Sequence, residues 1–497
     1  MGAGLAILGP RGEVVSRVQP RRPHLRARYE SAQTTTDNAR HWGAVDALSA
    51  DAANSASVRS TLRKRARYEA ANDSYCAGMV RTLANDCVGI GPTLQMQTED
   101  TGLNAWFNRE FAVWAKTVNL PCKLRVLRKA RCVDGEAFAL LRTNPRLRTR
   151  VKLDLELVEC DRITTPALDA LKPNVVDGML LDDFGDPIEY HMLEGHPGGT
   201  AISDAMKYKK VPAEYVIHWF LAERSEQHRG VPEITASLGR FADHRRFRQA
   251  TIAAAETAAD FAAVAESEMP PGEETYDSSA EFDTIELDKR LMTVLPAGYK
   301  LNQVKSEHPP TTYSDFHRVN VAESGRPILM PACVALGDSS GYNYASGRLD
   351  FQVYDRGIEV DRSEIEDHIL DDRVLVMWVA EALLIPGYVP EAGRALLMEQ
   401  MADAPHRWFW RGRKHVDPAK EATARDTNLR NHSTTLPREY AEAGEDWRAN
   451  VLQSIDAEEF IFKERQRRGL PIPKDQGPTA MTPAPADEEE ADGASGK

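Results

Sequence analysis

Long apolar runs are missing from this 497-residue chain. None approaches the ~18 residues of a membrane span. Aromatic residues are scarce at 7%, and a mean hydropathy of -0.46 makes the average position polar. The opening MGAGLAILGPRGEVV has no charge ahead of its short apolar run and is followed by a basic stretch, so it does not read as a secretory signal. A soluble protein is expected, made and used in the cytoplasm or assembled there. No CxxC pair occurs among Cys76, Cys87, Cys122, Cys132, Cys160 and Cys333; reduced, mostly buried thiols are expected. The 13 histidines form no HExxH, and no GxxxxGK[ST] is present, which excludes a P-loop motor. No cofactor and no metal are expected. A cationic excess is also lacking: 62 Lys+Arg stand against 75 Asp+Glu, a net charge of -13. Gripping nucleic acid by its phosphates needs a basic surface, so the whole-chain balance argues against a tight, general DNA binder. It does not argue against a protein that DNA slides past.

What is present is a globular composition, 42% apolar and 28% charged, long enough for two to four domains at roughly 100–200 residues each. The charge is uneven. Residues 1–30 hold Arg11, Arg17, Arg21, Arg22, Arg26 and Arg28 against Glu13 and Glu30, and polar sequence follows to about residue 60; a basic arm over 1–60 is expected, either a mobile solvated tail or an arm that contacts another subunit. The far end, 471–497, is Pro/Ala-rich and acidic, and is expected to be disordered.

Between these ends the chain reads as α+β. NDSYCAGMVRTLANDCVGI (72–90) predicts a helix behind an Asn-Asp-Ser cap. From 122 to 220, LRVL, AFALLR, KLDLELVEC, PIEYHML and YVIHWF predict strands of a mainly β domain, separated by DG, NP, FGDP and HPGG turns. A helix is expected over Val231–Glu266, where 250–265 holds nine alanines in sixteen residues. Alanine favours helix and leaves it slim, so close neighbours are inferred, from other subunits or, in the plainer alternative, none beyond the surface of one domain. Residues 266–288 then carry Glu266, Glu268, Glu273, Glu274, Asp277, Glu281, Asp283, Glu286 and Asp288 with no Lys or Arg. LMTVLPAGYKLNQV predicts a small β element, and YSDFHRVNVAESG (313–325) another helix. RPILMPACVALGDSSGYNYASG (326–347) is a bent apolar segment, strand-like over ILMPACVAL, feeding an irregular loop. Arg348 to about Ile385 predicts one helix of about 57 Å at ~1.5 Å per residue. A further amphipathic helix beyond Pro386 and helices at 419–431 and 437–468 complete the chain.

Three motifs carry chemistry. Gly337-Asp338-Ser339-Ser340-Gly341 is a G-x-S-x-G, and a serine hydrolase using Ser339 is the alternative reading, with His368, His406, His415 and His432 downstream. The loop running on through YNYASG and the absence of alternating strand–helix units oppose it. The acidic run lacks a D-x-[DN]-x-[DN]-G pattern and reads as solvated surface. HRWFWRGRKH interleaves cations with Trp408, Phe409 and Trp410: either a nucleic-acid stacking patch or, the favoured reading, tryptophans packed in a core.

NDSYCAGMVRTLANDCVGIGPTLQ, RCVDGEAFALLR, LELVECDRI, VIHWFLAERSEQHRGVPEI, GDSSGYNYASGRLD, HRWFWRGRKHVDPAKEATARDTNL and LPREYAEAGEDWRANVLQSIDAEE together resemble, in order, blocks of the lambda family of bacteriophage portal proteins. The resemblance runs from about residue 70 to 470. It implies a non-enzymatic head-tail connector of the virion, assembled in the bacterial host cytoplasm: a homo-oligomeric ring, a dodecamer in the capsid, at one vertex. Double-stranded viral DNA would pass through its channel in packaging and ejection. Implied partners are the terminase large subunit, head-tail adaptor proteins, scaffold and major capsid protein, and no membrane. The implied portal fold has a β-rich wing with an N-terminal helix (61–230), a first stem helix (231–266) and a small α/β clip (267–312). A second stem helix (313–336), a tunnel loop (337–347), a long wing helix with wing completion (348–418) and a helical C-terminal crown (419–470) follow. Pro327 and Pro331 are expected to interrupt the second stem helix. The implied channel loop comprises Asp338, Ser339, Ser340, Tyr342, Asn343, Tyr344 and Arg348, and the implied acidic clip the nine carboxylates above.

Overall fold

A computed structural model describes residues 6–8, 14–17, 46–166, 172, 174–200, 207–260, 264–267, 299–302, 313–341, 343–400, 403–412, 418–442, 445 and 447–471. The chain divides into residues 1–53 and 54–497. In the first unit β1 (Ala6–Leu8) pairs antiparallel with β2 (Val14–Arg17), and α1 spans Ala50–Ala53. The arm expected over 1–60 is thus interrupted by a β ribbon, and α2 (Ala56–Asn72) of the second unit begins inside it.

The second unit is mostly helical with small antiparallel sheets, so the region expected to be β-rich is helical in its first half. After α2 comes α3 (Ser74–Val88), the helix predicted at 72–90. Asp73 caps it by accepting from the N–H groups of Tyr75 and Cys76 at 3.0 and 2.9 Å, and Gly89 at φ 54° ends it. β3 (Thr93–Met96) and α4 (Thr101–Thr117) follow. The LRVL strand is a misreading: those residues lie in α5 (Leu120–Asp134). Four residues cannot distinguish the periods, whereas over the whole segment Leu120, Leu124, Leu127, Arg131 and Cys132 are buried at helical spacing.

The other predicted strands form. β4 (Glu136–Thr143) is the centre of a three-stranded sheet, between β5 (Leu153–Val158) and β10 (Val216–Phe220). A four-stranded sheet runs in order β6 (Val175–Val176), β7 (Met179–Leu181), β8 (Pro187–Leu193) and β9 (Tyr208–Pro212). β4 explains its unbroken apolar sequence by facing two cores. Ala137, Ala139 and Leu141 join the main core with Phe107, Trp114 and Trp378, while Phe138 and Leu140 join a second with Met179, Tyr190 and Met192.

The Ala-rich helix is shorter than expected at both ends: α6 is Leu238–Asp260. Before it, Thr235–Ser237 forms a 3₁₀ turn. After it, Val264–Ser267 is a strand, β11, antiparallel to β12 (Tyr299–Asn302), with Glu266 opposite Lys300. α7 (Tyr313–Gly325) matches the predicted helix. Both prolines interrupt it as anticipated: Arg326–Ile328 is a 3₁₀ turn, and Pro331 precedes the five-residue α8 (Ala332–Leu336). The ILMPACVAL segment is therefore helical turns rather than a strand. The long helix begins earlier than Arg348, as α9 (Tyr344–Glu364). It widens without a break into i→i+5 hydrogen bonding over Ile365–Leu375 and returns to α10 (Val376–Leu384). Its 21, 11 and 9 residues reach about 60 Å at ~1.5 Å each. α11 (Glu391–Gln400) and β13 (His406–Phe409), paired with β3, complete the packed body. Then come α12 (Pro418–Arg430), α13 (Leu436–Glu442) and α14 (Trp447–Arg467), so the helix expected over 437–468 is two. Among the described residues no helix is long and apolar enough to cross a membrane.

A buried ionic cluster joins α5, the approach to α6, and α9. Arg128 donates to Glu233 at 3.0 Å and to Asp361 at 2.8 Å. Arg131 pairs with Glu233 at 2.9 Å, Asp361 at 3.2 Å and Glu364 at 2.5 Å, while its guanidinium lies 4.5 Å from the Trp219 ring centre. Trp219 closes the cluster by donating Nε1–H to Glu364 at 3.0 Å. Removing one partner strands an uncompensated buried charge. Glu233→Ala is expected to cost about 3–5 kcal/mol in denaturant unfolding of the purified protein.

Candidate channel loop and the helix pair behind it

The loop expected to face a channel emerges from a paired set of helices. Ser237 Oγ donates to the Ser324 carbonyl at 2.9 Å, and Arg240 pairs with Glu323. His244 Nε2 lies 2.7 Å from His317 Nδ1, and Phe247 packs on Tyr313 and Phe316 with ring centroids 5.7 and 4.4 Å apart. As one number rises the other falls, so α6 and α7 run antiparallel: out along one and back along the other.

From α7 the chain turns twice. Leu329 takes a left-handed conformation at φ 56°, costly for a branched side chain, and Gly337 at φ 66° ends α8. Asp338 then accepts the Ser340 N–H at 2.9 Å and sits 3.7 Å from Arg318 of α7. The Ser340 backbone N–H, then its hydroxyl, then Arg318 hold the Asp338 carboxyl below its usual range, so it is anionic at neutral pH. Ser339 and Ser340 are exposed. Asn343 caps α9 reciprocally with Ser346: its Oδ1 accepts from Ser346 N–H at 2.9 Å, and its own N–H donates to Ser346 Oγ at 3.3 Å. Arg348 is exposed on the first turns of α9, where Tyr344 is the first residue. Tyr342 lies outside the described residues, as do Glu268, Glu273, Glu274, Asp277, Glu281, Asp283, Glu286 and Asp288; of Glu266 the backbone strand alone is described.

The structure disposes of the hydrolase alternative. Ser339 follows a helical turn rather than a strand, and it is not among the described non-glycine residues with positive φ; a nucleophile elbow needs a strained strand-to-helix turn. His406 is occupied elsewhere, with Nε2 at 3.1 Å from Asp371 and Nδ1 at 2.7 Å from the Ala404 carbonyl. His368 and His432 are exposed, and His415 lies outside the described residues. The tryptophans of HRWFWRGRKH are core residues, as favoured. Trp408 packs 5.6 Å from Phe111 and donates to Asp371 at 2.6 Å, while Trp410 donates to Glu366. Five of the six cysteines are buried, all six are free thiols, and Cys122 is partly exposed. Among the described residues no cluster of metal-ligating side chains occurs.

Sequence reasoning missed the polar relay behind the loop. Tyr75 of α3 lies 2.9 Å from His317 Nε2, extending the His317–His244 contact across three helices. Asp73 and Arg248 are the nearby charges. Two histidines 73 positions apart give no local signal. Burial pushes both imidazoles down; His317 and then Asp73 and Arg248 act next on His244, and Arg248 next on His317. A folded pKa below the unfolded value of about 6.5 means the unfolded chain takes up more protons in acid. The stability is present above that value and is lost as pH falls below it. The Tm is therefore expected to drop between pH 7.5 and 5.5, and His317→Gln to flatten that slope, as read by thermal unfolding at both pH values.

A family model described as phage portal protein, lambda family, matches residues 35–362. Among solved structures, the chain is similar to one from the neck of a native gene transfer agent particle computed with C12 symmetry. That match has 11% identity, 78% of this chain and 93% of that chain covered, and a TM-score of 0.39. A chain from the virion of a native gene transfer agent particle matches with 11% identity, the same coverages and a TM-score of 0.40. One from the neck of an empty particle computed with C6 symmetry has 13% identity, the same coverages and a TM-score of 0.40. No curated protein matches. The family model spans the helix pair, the loop and the first half of the long helix, and by it this chain belongs to the lambda family of phage portal proteins, structural rather than enzymatic components of the virion at the portal vertex of the capsid.

Proposed function

We propose that copies of this chain close a ring, twelve in the capsid, whose channel carries double-stranded DNA inward during packaging and outward during ejection. In this reading α6 and α7 are the stem and residues 267–312 the clip. The segment 337–347 is the tunnel loop, the helix from Tyr344 to Leu384 the long wing helix, and 419–470 the crown. The observation that carries the reading is the antiparallel α6–α7 pair, leading out to an acidic excursion and back into a glycine-hinged loop, within the span that matches the portal family. The exposed side chains of α14 agree with it. Leu452, Ile455, Phe460, Ile461 and Phe462 leave apolar surface that one copy does not cover, as expected of a crown helix packed on neighbouring copies.

The physics of such a channel is enclosure without grip. Duplex DNA carries about one negative charge per 1.7 Å, so a cationic lining would trap it. Nine clip carboxylates per copy, repeated around a ring, would repel the phosphates and keep the duplex centred, and Asp338 adds an anion at the loop. Ser339, Ser340 and Asn343 offer weak polar contact, and Gly337 and Gly341 give the loop freedom to yield. The terminase large subunit would supply the chemical energy and dock at the clip, and head-tail adaptors would replace it. Scaffold and major capsid protein would be further partners.

Two measurements test this. Excising 338–346 is expected to leave rings intact by negative-stain imaging while lowering DNA packaged per particle at least several-fold; undiminished packaging overturns the loop's role. Changing Glu273, Glu274 and Asp277 to lysine is expected to slow packaging while ATPase binding persists. Loss of ATPase binding instead places those acids on the docking face rather than the lumen.

A further inference from the structure

The β4–β5 hairpin carries a concentration of charge to which the proposed function gives no role. Its connection, RTNPRLRTRVK over 142–152, holds Arg142, Arg146, Arg148, Arg150 and Lys152 with no carboxylate, in a chain whose net charge is -13. The loop is fastened from within. Asn144 N–H donates to the Lys152 carbonyl at 2.7 Å, and Leu147 N–H to the Asn144 carbonyl at 3.2 Å. Asn144 Oδ1 accepts the Arg146 N–H at 3.1 Å, and Asn144 Nδ2 donates to Asp154 at 2.8 Å. Val151 is fully buried and Leu147 packs against the main core.

On this anchored frame Arg146, Arg148 and Arg150 are exposed. Arg142 has Glu156, and Arg109, exposed on neighbouring α4, has Glu110 at 3.1 Å. Among the described residues no carboxylate forms an ion pair with Arg146, Arg148 or Arg150. Arg150 lies instead 5.6 Å from the Tyr388 ring centre, while the Tyr388 hydroxyl is taken by Glu110 at 3.0 Å. Arg246, Arg430 and Arg467, also exposed, are by contrast paired with Asp243, Asp426 and Glu464.

We infer that this hairpin tip is a contact for the phosphodiester backbone of duplex DNA, an inference that does not rest on the channel reading. Guanidinium groups match phosphate oxygens in a two-pronged geometry, and holding them on a fastened loop reduces the ordering cost of binding. A protein partner is disfavoured because no large apolar side chain is exposed within 142–152 to form the dry centre such an interface needs. A small phosphate ligand is disfavoured because a hairpin tip is convex.

The test is fluorescence anisotropy of the full-length protein with a labelled duplex of ~30 base pairs across a series of salt concentrations. Each phosphate neutralised contributes about 0.9 to the slope of log affinity against log salt, so Arg146→Ala/Arg148→Ala/Arg150→Ala is expected to reduce that slope by up to about 2.7. It is also expected to weaken binding at least tenfold at low salt, with an unchanged melting curve. The triple arginine-to-lysine variant should retain most of the slope, and Arg246→Ala/Arg430→Ala should leave it unaltered. An undetectable affinity of the parent at low salt, an unchanged slope in the alanine variant, or an equal loss in the Arg246/Arg430 control each overturns the proposal. So does loop-dependent binding of an acidic polypeptide without binding of DNA, which would make the tip a protein contact.

Discussion

The architecture depends on one buried ionic junction. Arg128 and Arg131 of α5 face Glu233, Asp361 and Glu364, and these five residues come from three stretches of chain that share no strand ladder. Glu233 sits just before α6, so the helix pair leaves the body from a point clamped to α5; Asp361 and Glu364 sit near the end of α9, so the return path is clamped to the same place. A buried pair of this kind contributes less to stability than its Coulomb attraction suggests, because desolvation offsets much of it. Its strength is directional: two planar guanidiniums accept few arrangements of their carboxylates. A projecting α6–α7 arm carries little core of its own, and this junction sets its bearing.

A second ionic centre does similar work on the sheet side. Glu136, fully buried, accepts from Arg229 at 2.6 and 2.8 Å, from His218 at 3.2 Å and from the Gly230 N–H at 3.2 Å, and it also pairs with Arg63. Burial alone would raise its pKa, but Arg229 and Arg63 outweigh it and hold the carboxyl well below the usual range. The segment at Gly230 is drawn in so closely that a Cβ there would collide with the Gly135 carbonyl oxygen. Both centres thus fasten the stretch 229–233, which explains why α6 starts at Leu238 rather than at Val231. A start at Val231 is the sequence expectation, but Arg229, Gly230 and Glu233 are committed to tertiary partners first.

What could be read in the sequence was whatever local chemistry decides. Asp73 and Gly89 delimit α3, the alternation in KLDLELV marks β5, and Pro327 with Pro331 break the segment after α7. What could not be read depends on distant partners. LRVL is strand-like in isolation, and only burial of Leu120 through Cys132 on one face makes it helix. ILMPACVAL looks like a strand, yet its prolines and the left-handed Leu329 compress it into turns. The loop at 337–347 was locatable from its glycines, but its tether to Arg318 was not, because nothing near Asp338 in sequence points to residue 318. The His244–His317–Tyr75 relay was hidden for the same reason. The tryptophans of HRWFWRGRKH were ambiguous until Asp371 and Glu366 supplied acceptors for their indole N–H groups, on a helix turn far away in sequence.

Those acceptors lie in the wide-turned stretch Ile365–Leu375 of the long helix. Upstream, Asp361 and Glu364 must address the arginines; downstream, Trp378 must fill the cavity lined by Phe107 and Phe111. Regular α winding fixes the azimuth of every residue once one is set, so a rod of uniform pitch could satisfy one of these appointments and miss the other. The slack winding between them is a phase adjuster, and a single-residue deletion inside it would swing the aromatic end of the rod away from its socket while leaving the ionic end in place.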